Sequence, residues 1–165
     1  QFGQGRGGFY SYDALENLVG CKIHSTDQLL PEHQDPQPGD LIRSGPAGKR
    51  YAAWQILDVD PPRHLVLMGA DPETLEAPPV VDTVPDRGYV ASTWQWELRP
   101  LADGEATRLV VRQRLTFSPR QQLLWRLVEP LNFVMEREML RGIKRRAEMT
   151  AAHEIGLSLD PRQGT

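Results

Sequence analysis

The chain has 165 residues, of which 39% are hydrophobic and 25% charged, and its net charge is −3. That is room for one domain and one core, with the composition of a soluble globular protein and without the basic balance of a nucleic-acid binder. No apolar run is long enough for stable membrane insertion, and Cys21, the single cysteine, excludes an internal disulfide or a cysteine-rich metal site, so a cytoplasmic location is expected.

The sequence opens on Gln1 inside a glycine-rich loop, QFGQGRGGFYSY, which suggests that a longer product precedes it. Gly3, Gly5 and Gly8 spell G-x-G-x-x-G, but no strand–helix alternation follows, so the glycines read as a tight loop anchored by Phe9, Tyr10 and Tyr12 rather than as a dinucleotide site. A short amphipathic helix is expected from Ser11 to Val19, with Leu15, Leu18 and Val19 inward and Gly20 as its stop. CKIHSTDQLLPEHQDPQPGD then runs without period. His24, Asp27, Glu32 and His33 lie within it, but the stretch lacks the spacing or rigid scaffold of a metal site and reads as a solvated loop.

Strands follow at Asp40–Ser44, Tyr51–Val59, His64–Gly69, Tyr89–Arg99 and Thr107–Phe117, joined by GPAGK, PPR, a Pro- and Asp-rich excursion over 70–88 with one weak strand at most in PVVDTV, and LADGEA. Trp94, Trp96 and Leu98 share one face, as do Leu109, Val111, Gln113, Leu115 and Phe117, with Arg108, Arg112 and Arg114 opposite.

The last element is the longest. Ser118 suits an N-cap and Pro119 the first helical position, and the apolar residues from Leu124 to Ala147 recur at helical spacing up to about His153. Pro130 is expected to break or kink this helix near Glu129. Strands in succession make an antiparallel meander, and the helix is its natural cover, so the fold class is α+β, a curved sheet gripping a long helix.

GQGRGGFYSYDALENLVG, the strand pair YVASTWQWELRPL and TRLVVRQRLTF, and EPLNFVMEREMLRGIKRRAE together resemble the START-like, or SRPBCC, superfamily of polyketide cyclases/dehydratases and lipid carriers. Within it they are similar to a bacterial group whose shared strings are tied to no reaction. The resemblance covers residues 1–154 as one helix-grip domain and leaves 155–165 as a tail. It implies an apolar tunnel between sheet and helix, and a strand and helix preceding Gln1 whose absence would leave one sheet edge open.

A tunnel of that kind would be lined by Trp94, Trp96, Leu109, Val111, Gln113 and Leu115 from the strands and by Phe133, Met135 and Met139 from the helix, against the plain alternative that the same stripes are core. Arg6 beside Tyr10 and Tyr12 could hold an anionic head group at its mouth, or simply brace the loop. The reading is a domain that binds a small hydrophobic molecule, with no cofactor, no metal and no nucleic-acid partner. A cyclase or dehydratase using scattered groups such as Asp13, His24 or His64, and an interaction domain with a filled core, are the alternatives; Cys21 with His24 is a weak nucleophile pair. The Lys144–Arg145–Arg146 run reads as a charged solvent face, and a homodimer stays open.

Overall fold

A computed structural model describes residues 1–48, 51–102, 104 and 106–158, with side chains to residue 152. Lys49 of the GPAGK turn, Asp103 and Glu105 of LADGEA, and residues 159–165 of the expected tail lie outside it. The elements in order are α1 (Asp13–Leu18), β1 (Leu41–Arg43), β2 (Ala53–Asp60), β3 (His64–Ala70), β4 (Val90–Pro100), β5 (Thr107–Phe117) and α2 (Gln122–Ser158). Short 3₁₀ turns stand at Pro31–His33 and Pro119–Gln121. The five strands form one antiparallel sheet in sequence order, β1-β2-β3-β4-β5. This is an α+β architecture, and no helix of the described residues is long and apolar enough to cross a membrane.

Strand pairing explains which end of the sheet is filled. On the inner face Val59, Leu65, Trp96 and Val111 form one cross-strand row, and Ile56, Leu67, Trp94 and Gln113 the next. Phe2, carried by the glycine loop, plugs these rows, and Phe9 backs it at 5.9 Å. The Phe2 ring lies 5.3 Å from that of Trp96 and 5.8 Å from that of Trp94, and Phe9 lies 6.2 Å from Trp54. Ile23, Ile42, Cys21 and Met139 complete the core. Aromatic rings in such offset and edge contacts bury large areas and add about 0.5–1.5 kcal/mol per pair beyond the area term.

The glycine loop can do this because it folds back on itself. Gly3 and Gly8 form an antiparallel bridge, with N–H to O distances of 2.9 and 3.2 Å, and Gly8, at φ +78°, packs where a Cβ would stand 2.6 Å from Ser25. Gln4 donates its backbone N–H to Arg43 at 2.8 Å, so the loop also covers part of the β1 edge. At the opposite side of the sheet, β5 pairs with β4 alone among the described residues.

Three sequence expectations about the helices are corrected. α1 buries Glu16, while Leu18 and Val19 are 81% and 65% exposed. Six residues make under two turns, and the turn that faces inward is fixed by the Asp13 and Asn17 side chains, which bind the backbone of Ser25 and Ile23. Ser118 does not cap the last helix with its side chain. It is fully buried, and its hydroxyl and N–H close a pair of bonds with Tyr89 at 2.9 and 3.0 Å, fixing the helix entry to β4 instead. α2 continues through Pro130 without the break that was one of the two outcomes expected there. Arg126, whose carbonyl loses its helical N–H partner there, is exposed.

The 37-residue α2 is about 55 Å long, and it covers the sheet less than expected. Its second half docks through Met139, Leu140, Gly142, Ile143 and Arg146. Its first half stands away from the strands, and Leu123, Leu124, Leu127, Leu131 and Phe133 are exposed. The weak PVVDTV strand does not form, and Val80 is fully exposed.

Candidate functional site

Between the first half of α2 and the inner face of the sheet lies an open groove of about 1390 Å³. Its position follows from the third inner row, Trp54, Gly69, Ser92 and Leu115, whose middle members have almost no side chain. Where the neighbouring rows carry Leu67 with Trp94 and Leu65 with Trp96, this row leaves a hollow. Trp54, its ring 5.4 Å from that of Trp94, stands between the filled core and the groove. β5 supplies one wall through Val111, Gln113, Leu115 and Phe117; Trp125, Val128 and Phe133 of α2 supply the other. The 71–89 excursion closes one end with Pro72, Pro78, Pro79 and Tyr89.

The walls are tied at two points. Trp125 stacks on Phe117 at 5.7 Å, and Asn132 donates its side-chain amide to Gln113 Oε1 at 3.1 Å. Two buried side-chain atoms of lining residues, Trp125 Nε1 and Gln121 Oε1, have no hydrogen-bond partner in the protein. Glu136 lines the groove, and burial raises its carboxyl above the usual carboxylate range. The Trp94 indole N–H faces it and offsets part of that rise, yet falls short of hydrogen-bond geometry and leaves Trp94 Nε1 without a partner.

The residues expected at a tunnel separate into three groups. Val111, Gln113, Leu115 and Phe133 line the groove. Trp94, Trp96 and Met139 are buried in the core at 7%, 7% and 4% exposure, and Leu109 packs against it. Met135 is half-buried, and its carbonyl accepts the Ser11 hydroxyl at 3.1 Å. Arg6, Tyr10 and Tyr12 lie outside the groove. Arg6 donates to the Leu41 carbonyl at 3.2 Å, and the Tyr10 ring packs under Arg146, its hydroxyl accepting from Gln1 at 2.9 Å. Tyr12 is 43% exposed.

Other candidate groups are placed in structural roles. The Asp13 carboxylate accepts both the N–H and the hydroxyl of Ser25 at 2.6 Å. His64 pairs with Asp58 at 2.8 Å and lines a shallow outer depression with Gln95 and Glu97, on the face away from the groove. Cys21 is buried, and burial together with Glu16 raises its thiol, the opposite of an activated nucleophile. Asp27 forms an ion pair with Arg146, and among the described residues no group of three or more His, Cys, Asp or Glu is arranged to hold a metal ion. The expected solvent face of GIKRRAE is corrected for Arg146, whose side chain is 16% exposed and turned inward.

Trp54, Gly69, Ser92, Trp125 and Glu136 were not singled out by the sequence. The signal that could have found two of them is a pair of small residues, Gly69 and Ser92, at inward positions of otherwise bulky strands. No family model, characterised protein or solved structure matches the chain. Fold and site therefore define a class by geometry alone: an α+β protein with an aromatic-walled groove between its sheet and a long helix.

Proposed function

We propose that this chain is a START-like, helix-grip domain that binds a small hydrophobic molecule in the groove between β5 and α2. The observation that supports it most is the hollow itself. A row of the sheet that carries Gly69 and Ser92 is left open beneath Trp125 and Phe133, next to rows that the same chain plugs with Phe2. Ligand sites of small molecules enclose roughly 300–1,000 Å³ and are walled mainly by apolar and aromatic side chains, and this groove has both the room and the walls. The exposed Leu123, Leu127 and Leu131 extend the apolar surface outward from it along the helix.

The test is native mass spectrometry of the purified protein, followed by solvent extraction and identification of what is released. An apolar compound at one equivalent per chain supports the proposal. An empty protein that shows no thermal shift with lipids, sterols or aromatic polyketides overturns it.

A further inference from the structure

Going beyond the groove, we propose that β5 is a docking edge for an extended acidic peptide of a partner protein, one whose residues alternate between apolar side chains turned inward and carboxylates turned outward. The chain treats the two edges of its sheet differently. β1 is three residues long, and the glycine loop shields it, with the Gln4 N–H on the Arg43 carbonyl at 2.8 Å and the Arg6 side chain on the Leu41 carbonyl at 3.2 Å. β5 is eleven residues long, pairs with β4 in unbroken register, and contains neither proline nor glycine. Among the described residues, no hydrogen bond from outside β4 reaches its backbone. Every second residue of a strand turns its N–H and C=O away from a given neighbour, so this edge presents a row of open donors and acceptors, the template for strand addition.

Charge decides the occupant. The outward face of β5 carries Arg108, Arg112 and Arg114, all exposed, and among the described residues none of the three has an ion pair or a hydrogen bond through its side chain. Glu97, on the same face of β4, is held by Arg99 at 2.8 Å. A second copy of the chain fits this edge badly. Every two-fold antiparallel register of β5 on itself that is centred on a residue from Val110 to Arg114 sets one arginine opposite another, whether Arg112 or Arg114 against its own copy, Arg108 against Arg112 or Arg114, or Arg112 against Arg114. Like charges directly opposite destabilise a strand pair, and opposite charges stabilise it. The arginines that keep copies apart therefore favour a strand with Asp or Glu at every second position. The remaining side chains of such a strand fall beside Leu109, Val111, Gln113 and Leu115, of which Leu115 is 36% exposed, and there an apolar residue gains cover on both sides.

The experiment titrates the full chain at pH 7 with three peptides blocked at both ends, to about 1 mM, and follows binding and amide hydrogen exchange by NMR. EVEVEVEVE has the proposed pattern; EEVVEEVVE keeps its composition and breaks the alternation; KVKVKVKVK keeps the alternation and reverses the charge. EVEVEVEVE should bind at least about fivefold more tightly than either of the others. In the free chain the amides of β5 should alternate between slow and fast exchange, and EVEVEVEVE should slow the fast set. The double variant Arg112→Glu with Arg114→Glu, two exposed positions, should reverse the order of EVEVEVEVE and KVKVKVKVK. Equal binding of EVEVEVEVE and EEVVEEVVE with the fast amides unchanged would show attraction of charge without strand addition, and overturns the proposal, as does binding by none of the three. KVKVKVKVK binding as tightly as EVEVEVEVE removes the acidic partner and overturns it too. Amides that are all slow in the free chain show an edge already paired and overturn it as well, and sedimentation then tells whether a second copy is what pairs there.

Discussion

Gly142 passes Tyr10 so closely that a Cβ on it would stand 2.5 Å from the Tyr10 carbonyl oxygen and 2.9 Å from Tyr10 Cβ. Of the places where α2 meets the rest of the chain, this is where backbone comes nearest to it. Arg146, one turn further on, completes the clasp. Its guanidinium lies 4.1 Å from the Tyr10 ring centre, donates to the carbonyls of Thr26 and Gly142 at 3.0 and 3.1 Å, and pairs with Asp27 at 2.7 Å. The glycine loop, which fills the core with Phe2 and Phe9, is thus held to the helix by the two residues that the GIKRRAE string spaces four apart.

Gly142→Ala tests the close approach. Alanine is the better helix former by about 1 kcal/mol, so on an open helix face the change would stabilise. Here the added methyl meets backbone, which cannot rotate away, and overpacking of this kind costs about 1–3 kcal/mol. The expected net outcome is a lower Tm by roughly 2–6 °C in thermal unfolding. A Tm equal to or above that of the unchanged protein would show that helix and loop do not meet as described.

Arg146→Met keeps the apolar stem and removes every polar contact of the clasp. Asp27 is largely exposed, so the ion pair adds at most about 1 kcal/mol, and the two carbonyl bonds with the Tyr10 stack carry most of the effect. We expect a loss of about 2 kcal/mol in urea unfolding, of which Arg146→Lys recovers less than half because an ammonium lacks the planar fork. Since the chief partners are carbonyls, 0.5 M salt should change the difference little. A strongly salt-dependent loss would instead assign the effect to Asp27.

The sheet was legible because its strands alternate cleanly. The strand Thr107–Phe117 and the shared faces of Trp94 with Trp96 and of Val111 with Gln113 follow from a period of two, while the pairing between them is a matter of register. The position of the groove was not legible, because it depends on which rings fill which row. Trp94 and Trp96 read as tunnel walls until Phe2, distant in sequence from both, is found packed on them with Phe9 behind it. Arg146 looked like one more solvated charge in a basic run, since helical spacing alone does not say that Gly142 lets a loop come within reach of it. Glu16 was missed for a related reason: in a helix of six residues, the anchors Asp13 and Asn17 outweigh the apolar side chains in choosing the buried face.

Glu16 makes stability depend on pH. Burial, and secondarily the charge of Asp13, push its carboxyl from an ordinary 4.5 up to about 7, and its Oε2 has no partner. Between these values the folded chain holds a proton that the unfolded chain has released, so the contribution of Glu16 to stability is greatest below about 4.5 and falls as pH rises towards 7. The gap corresponds to about 3 kcal/mol at most. Glu16→Gln removes this titration, so its stability relative to the unchanged protein should rise from pH 5 to pH 8. Urea midpoints compared at the two pH values give the answer, and a difference that stays constant, or changes the other way, would place the ionised carboxylate in water.

Ser92 and Thr93 offer a paired test of where the groove lies, since neighbours in a strand point to opposite faces. Ser92 belongs to the inner row with Gly69 and Leu115, beneath Trp125, while Thr93 pairs with Arg114 on the outer face. Ser92→Phe would project a ring into the hollow, where it meets Trp54 and Leu115 rather than solvent. Because the space is already open, the ring needs no rearrangement of the core, and folding stability should stay within about 1 kcal/mol of the unchanged protein. Binding of naphthalene should fall by about tenfold or more, as the ring occupies the ligand's place. Thr93→Phe adds the same ring to the same strand on the other side of the sheet and should leave binding as it was. Equal effects of the two substitutions, or none from Ser92→Phe in a chain that does bind naphthalene, would move the binding site off the inner face. A loss confined to Ser92→Phe would tie it to the one row of the sheet that the chain does not fill for itself.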